Sequence, residues 1–263
     1  MDLDNYRSKI ISCDYKILRI LEQRYNCVLK VSNYKQRNRK PILDKKREEE
    51  VRENFLNNMN HTYFKKYHES EFLDIINSIT DVSRNIQYRK IYRKNIVLIG
   101  FMGCGKTTIG RILAKKIGVK FLDTDYQIEK RVMMKIGDIF DKLGEEYFRK
   151  VESDVIKNIT EKFCGVISTG GGSVLNKSNV KNLKSSGKLI YLKSSAENIL
   201  YNLKRSTKVR PMLRQNLNIN YIQKFIKSRS EIYNRVKDFE INVDDLSIDQ
   251  IINVIIKLMW GGL

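Results

Sequence analysis

The sequence predicts two units of different class: an all-α, three-helix segment over residues 1–92 and an α/β unit with a central parallel sheet over residues 93–263. Three observations carry this expectation. Through the first unit apolar residues recur at helical spacing, with no glycine to interrupt them. From Asn95 onward short apolar runs alternate with helix-length amphipathic stretches, the pattern of strands joined by crossover helices. Between the first of these runs and the next helical stretch lies the glycine-rich turn "GFMGCGKT".

The first helix rests on two heptad series, Leu3, Ile10, Ile17 and Val31, and Tyr6, Cys13, Ile20, Cys27 and Tyr34. It is expected to run to about Arg39 and to end at Pro41, because proline lacks the backbone donor and clashes with the preceding turn. A second helix opens at "LDKKREEE", with Asp44 as its N-cap and acidic residues in its first turns, where the helix dipole favours them. A third covers "ESEFLDIINSITDVSRNIQ", with Phe72, Ile75, Ile76, Ile79, Val82 and Ile86 as its apolar stripe. The basic junction "QYRKIYRKN" places the unit boundary near Tyr92. Beyond it, "IVLIG", "VKFLD", "GVIST", "KLIYL" and "FEINV" are the expected strands.

Composition narrows the class of protein. No apolar run reaches the length of a membrane span, and "MDLDNYRSKI" carries acids where a signal peptide has a basic start and an apolar core. The expectation is a cytoplasmic protein without membrane partners. Cys13, Cys27, Cys104 and Cys164 have neither metal-type spacing nor the density of a disulfide scaffold. The net charge of +20 is spread along the whole chain, without zinc spacing or an aromatic RNA-binding signature. Nucleic acid is therefore not an expected partner, and the charge reads as attraction for small anions.

Gly100 to Thr107 matches G-x-x-x-x-G-K-[ST] and sits after a strand and before the helix "TIGRILAKKI". Loop amides and the helix N-terminus are suited to cradle phosphates, Lys106 to reach the β and γ groups, and Thr107 to hold Mg²⁺. ATP and Mg²⁺ are the cofactors implied, with Met102, Cys104 and Thr108 beside Gly100, Gly103 and Gly105 in the nucleotide site.

The loop does not name the acceptor; the motifs after it do. "FLDTDYQIE", "GEEYFRKVE", "STGGGSVL", "RPML" and "SRSEIYNRV" occur in that order and together resemble shikimate kinase over residues 95–263. The resemblance implies that Asp123 lies beside the metal and that Asp125 contacts the acceptor hydroxyls as base or orienter. It implies further that Arg149 and Arg229 grip the shikimate carboxylate, with the backbone of Gly170, Gly171 and Gly172 approaching the ring. Arg210 falls in the lid over the transferring phosphate, and Arg205 stacks on adenine. These roles are chemically apt: arginine offers a carboxylate a bidentate fork that lysine lacks, and glycine allows close backbone approach.

The helical segment has its own anomaly. Arg24 falls in the series Leu3, Ile10, Ile17, Val31 where an apolar residue is expected, and such a charge must be paired, solvated or bound to an anion. Lys35 returns to almost the same helix face roughly 16 Å farther along. Arg7 is roughly 25 Å from Arg24 on a different face, so it can join the same small site only from a second subunit. Ser83 and Gln87, at i and i+4, share one face of the third helix, and Asp44, Arg47 and Glu48 cluster at the start of the second.

The stretches "YRSKIISCD", "EQRYN", "YKQRNRKPILDKKREEE" and "SRNIQ" resemble an all-helical chorismate mutase over residues 1–90. The resemblance implies an intertwined homodimer that rearranges chorismate to prephenate without metal or nucleophile. Arg24, Ser83 and Arg7 of a second copy would bind the carboxylates, and Lys35 and Gln87 would donate to the breaking ether oxygen. Glu48 would take the substrate hydroxyl, with Asp44 and Arg47 at the rim. The expected protein is thus a bifunctional enzyme of aromatic amino-acid biosynthesis, its substrates shikimate, ATP and chorismate. The alternative is a shikimate kinase with a non-catalytic chorismate-sensing or dimerising segment.

Overall fold

The computed structural model describes residues 3–38, 40, 42–58, 68–92, 94–205 and 218–260. The chain divides into two compact units, Met1–Arg93 and Lys94–Leu263.

The first unit contains α1 (Leu3–Arg37), α2 (Lys45–Asn57) and α3 (Glu69–Tyr92). The Asp44 carboxylate caps α2 by accepting from the Arg47 amide at 3.1 Å, satisfying one of the amides a helix start leaves unpaired. Both α1 and α2 pack against α3. Among the described residues nothing covers the heptad stripe of α1, for Leu3, Ile10 and Ile17 are 60%, 61% and 55% exposed. Of the stripe expected on α3, Phe72, Ile76, Ile79 and Ile86 are half-buried. Ile75 and Val82 stand exposed, whereas the deeply buried positions are Ser83, Gln87 and Tyr88, because the face that meets α1 and α2 carries these polar residues.

The second unit is a five-stranded, wholly parallel sheet in the order β2-β3-β1-β4-β5. The strands are β1 (Asn95–Ile99), β2 (Lys120–Asp123), β3 (Gly165–Ser168), β4 (Gly187–Lys193) and β5 (Phe239–Asn242), each matching one of the five apolar runs to within a residue at either end. All five residues of β1 are buried, as helices on both faces of a parallel sheet require. Those helices are α4 (Lys106–Ile117), α5 (Thr124–Val132), α6 (Ile136–Lys162), α7 (Lys177–Ser186), α8 (Ala196–Lys204), α9 (Ile219–Val236) and α10 (Ile248–Trp260). α6 bends at Gly144, whose φ of 82° is non-helical. The core beneath the site joins Val97, Ile99, Ile167, Leu189, Tyr191 and Tyr233. After β1 the chain moves to one side of the sheet and after β4 to the other, so the carboxyl ends of β1 and β4 flank the switch point where open α/β sheets bind ligands.

Candidate active sites

The loop Gly100–Thr107 leaves β1 at this switch point and enters α4. Gly105 caps α4 with φ 89°, a left-handed conformation that glycine adopts without strain. Lys106 is 7% exposed, and its ammonium folds back to donate to the carbonyls of Gly100 at 2.8 Å and Phe101 at 2.7 Å. Cys104 is buried, its Sγ 3.6 Å from the Lys106 Nζ. Met102 and Gly103 are half-buried and Thr108 is exposed. α8 is tied to the loop by Asn202, whose amide donates to the Gly103 carbonyl at 2.9 Å. One turn farther along, exposed Arg205 donates to the Tyr201 hydroxyl at 2.6 Å. Arg210 and the rest of the expected lid lie outside the described residues.

Thr107 and Asp123 come together as the metal assignment requires. The Thr107 hydroxyl donates to Asp123 Oδ2 at 2.6 Å, while Asp123 Oδ1 accepts from the amides of Asp125 and Tyr126 at 3.0 and 3.3 Å and so caps α5. One carboxylate and one hydroxyl fit Mg²⁺, which keeps several waters and takes its other ligands from phosphates. They do not make an all-protein metal cage, and among the described residues no group of three His, Cys, Asp or Glu does.

A second cluster forms around Gly170–Gly172, just after β3. A Cβ at Gly170 would lie 2.6 Å from Asp125 Oδ1 and 3.1 Å from Glu152 Oε1, and one at Gly172 would lie 2.7 Å from Arg149 Nη1. Gly170 and Gly172 therefore make room for the site's own side chains, and Gly171 for the phosphate-loop backbone, where a Cβ would lie 3.2 Å from the Met102 amide nitrogen. Arg149 donates to Glu145 at 3.0 and 3.2 Å and to Glu152 at 2.9 Å. Burial disfavours its charge, but the Glu152 and Glu145 carboxylates more than offset this and raise its pKa. Arg229 is 5% exposed and donates to the Gly171 carbonyl at 3.3 Å. Burial lowers its pKa and the nearby Arg149 adds to the effect, against the opposing influence of Tyr233. Two cations thus stand close together, and the hydrogen-bonded carboxylates belong to Arg149, which leaves a place suited to an anion beside Arg229.

Sequence reasoning passed over several residues of this cluster. Glu152, 1% exposed, accepts from Ser173 at 2.6 Å as well as from Arg149. The Thr124 hydroxyl accepts from the Gly170 amide at 2.9 Å. Tyr233, its pKa raised by burial, donates to the Gly171 carbonyl at 2.5 Å. The signal for Glu152 and Tyr233 was present, at i+3 from Arg149 and i+4 from Arg229, positions that share a helix face.

In the helical unit Arg24 donates to the Ser83 hydroxyl across 59 residues of sequence. Lys35 donates to the Ile42 carbonyl at 2.6 Å. Burial lowers its pKa, with Asp44 and Glu48 close enough to oppose the shift, so Lys35, Asp44 and Glu48 share one neighbourhood. Glu48, expected to wait for a hydroxyl, is engaged by Arg84 at 2.8 Å. Arg84 also pairs with Asp81. Gln87 is 8% exposed, and its Oε1 is buried without a hydrogen-bond partner. A cavity of about 190 Å³, lined in part by Glu48, Arg52, Thr80, Asp81 and Arg84, opens between α2 and α3; of the expected site it shares Glu48 but not Arg24, Lys35, Ser83 or Gln87. Two expected members stay apart: Arg7 is exposed and pairs with Asp4 at 3.3 Å, and exposed Arg47 pairs with Glu50 at 3.0 Å.

Comparison with known proteins follows the same division. A sequence model of the shikimate kinase family matches residues 102–260, and one of chorismate mutase type II matches residues 6–88. A shikimate kinase of Thermodesulfovibrio yellowstonii is 43% identical over 164 residues, 62% of this chain and 94% of that protein. One from Vibrio cholerae is 38% identical over 167 residues, 64% of this chain and 95% of its own length. Among solved structures, shikimate kinase from Acinetobacter baumannii in complex with shikimate matches with a TM-score of 0.61 and 33% identity, covering 64% of this chain and 93% of that one. Shikimate kinase from Aquifex aeolicus matches with a TM-score of 0.54 and 34% identity, covering 64% and 96%. Among the described residues no helix is long and apolar enough to cross a membrane.

Proposed function

The chain belongs to the shikimate kinase family through residues 102–260 and carries a chorismate mutase type II domain at residues 6–88, and we propose that its two units hold separate active sites for two reactions of aromatic amino-acid biosynthesis. One phosphorylates shikimate to shikimate 3-phosphate. The other rearranges chorismate to prephenate.

In the kinase, the loop amides and the N-terminus of α4 receive the ATP phosphates, and Lys106 exchanges its two carbonyl partners for phosphate oxygens. Thr107 and Asp123 would hold Mg²⁺, which would supply neutralisation of the charge on the ATP phosphates. Asp125 orients the shikimate hydroxyl and accepts its proton as the new oxygen–phosphorus bond forms and the bond to the ADP oxygen breaks. Arg229 and Arg149 take the carboxylate, which fixes the ring. Arg205 stacks on the adenine, and Arg210 neutralises the group in transfer. Phosphoryl transfer asks the protein mainly for positioning and charge, and these residues supply both. The observation that carries this reading is the cationic pair Arg149 and Arg229 on the Gly170–Gly172 loop, one strand away from the phosphate loop.

In the mutase, Arg24 with Ser83 binds one carboxylate, and Arg7 of a second copy reaches the other. Lys35 and Gln87 donate to the ether oxygen as charge develops on it, while Glu48 holds the hydroxyl. The rearrangement is unimolecular, so the site contributes by holding the dianion compact and by meeting that charge. The uncovered stripe of α1 and the unpartnered Gln87 amide oxygen support a homodimer that completes the site. A panel of phosphoryl acceptors tests the kinase assignment: shikimate is expected to be phosphorylated, and preference for a nucleotide or a polyol without a carboxylate contradicts it.

A further inference from the structure

Arg149 and Arg229 face the same glycine loop, but they are held in different ways. Arg149 is fixed chiefly by carboxylates: among the described residues its hydrogen bonds go to Glu145 and Glu152, and its guanidinium carbon also lies 5.2 Å from the Phe148 centroid. The two carboxylates meet part of its charge before any ligand arrives. Arg229 has no hydrogen-bonded carboxylate among the described residues; apart from the Gly171 carbonyl and Tyr233, it rests on rings. Its guanidinium carbon lies 4.1 Å from the centroid of Phe225, one turn earlier on α9, and 6.0 Å from that of Phe101. The two rings meet edge to face, with centroids 5.4 Å apart and planes at 86°, a favourable aromatic geometry.

A ring face attracts a cation through its quadrupole without neutralising it, and it leaves the in-plane N–H donors pointing outward. A carboxylate in the same place would consume both charge and donors. Phe101 is buried and belongs to the phosphate loop, and Phe225 packs on the same apolar cluster. The two rings therefore tie the guanidinium to the loop that receives the nucleotide. Burial and the neighbouring Arg149 both work against the charge on Arg229, so a contact that stabilises it without cancelling it has a purpose there.

We propose that Phe225, backed by Phe101, is a positioning residue for the acceptor substrate, holding Arg229 in place without a hydrogen-bonded carboxylate so that its remaining donors meet the substrate carboxylate. This rests on the reading of Arg229 as the carboxylate ligand.

The test measures KM for shikimate, for its uncharged methyl ester and for ATP in Phe225→Leu, Phe225→Tyr and Arg229→Ala, together with thermal melting. The expected result for Phe225→Leu is a roughly tenfold rise in the KM for shikimate, with little change for the ester or ATP, and recovery in Phe225→Tyr, which keeps the ring. A rise shared by the ester or by ATP marks a packing role and overturns the inference. So does an unchanged shikimate KM in Phe225→Leu when Arg229→Ala raises it. If Arg229→Ala itself leaves the shikimate KM unaltered, the carboxylate reading falls, and the positioning role with it. Should Phe225→Leu fail to fold, Phe225→Met fills the space flexibly and carries the same measurements.

Discussion

Thr107 donates to Asp123 across 2.6 Å, joining the first turn of α4 to the end of β2 at the point where the phosphate loop closes. The same carboxylate caps α5 through two backbone amides, so one side chain serves both the fold and the chemistry. Asp123→Asn keeps a capping oxygen but removes the charge. Phosphorylation is expected to fall on the order of a hundredfold or more, and Mg²⁺ demand to rise, while the melting temperature changes little. A magnesium titration of the steady-state rate checks this; an unaltered Mg²⁺ dependence contradicts the metal assignment.

The Gly172 backbone passes within a methyl group's width of Arg149. In Gly172→Ala the new Cβ would lie 2.7 Å from Nη1, and the guanidinium, as the end of a flexible side chain, gives way before the fold does. The KM for shikimate is expected to rise roughly tenfold, the cost of about one charge-assisted hydrogen bond. The KM for ATP and the melting temperature stay close to wild type. A fall in stability with unaltered KM values contradicts the account.

Gln87 buries an amide oxygen without a partner, an arrangement that costs stability unless a ligand or a second subunit relieves it. Gln87→Leu is therefore expected to leave the helical unit as stable as before or more so. Turnover of chorismate is expected to drop on the order of a hundredfold or more. Thermal melting and the loss of chorismate absorbance, measured on the same sample, separate the two effects. A destabilised variant that retains turnover assigns Gln87 to packing.

How much of this was readable from the sequence depended on whether the signal was local. The five strands follow from apolar runs, and the phosphate loop from glycines that a tight, phosphate-binding turn needs. The buried face of α3 was only partly legible, because apolar spacing alone cannot say where α1 and α2 will lie: Phe72, Ile76, Ile79 and Ile86 are half-buried, but Ser83, Gln87 and Tyr88 lie deepest. Arg84 escaped notice for a related reason. Within α3 it is one more basic residue, and only the packing of α2 beside it delivers Glu48 to it at 2.8 Å. Phe225 reads in sequence as an ordinary core aromatic of α9; its bearing on Arg229 emerges only from the 4.1 Å ring contact.

Arg7 is exposed and far from the groups it was expected to join, and the stripe of Leu3, Ile10 and Ile17 beside it is uncovered. If a second copy covers that stripe and supplies Arg7, hybrids of Arg7→Ala and Lys35→Ala chains contain one intact mutase site each. Mixing the two inactive proteins under conditions of subunit exchange is expected to restore roughly a quarter of wild-type turnover. No recovery, despite hybrids confirmed by mass spectrometry, contradicts the shared site.

The central claim is that one chain carries two separate active sites. Chorismate loss and ATP-dependent phosphorylation of shikimate, followed in parallel for wild type, Lys35→Ala and Lys106→Ala, test it most directly. The account predicts that Lys35→Ala abolishes only the first activity and Lys106→Ala only the second. A wild-type protein that phosphorylates shikimate but leaves chorismate unchanged would contradict it.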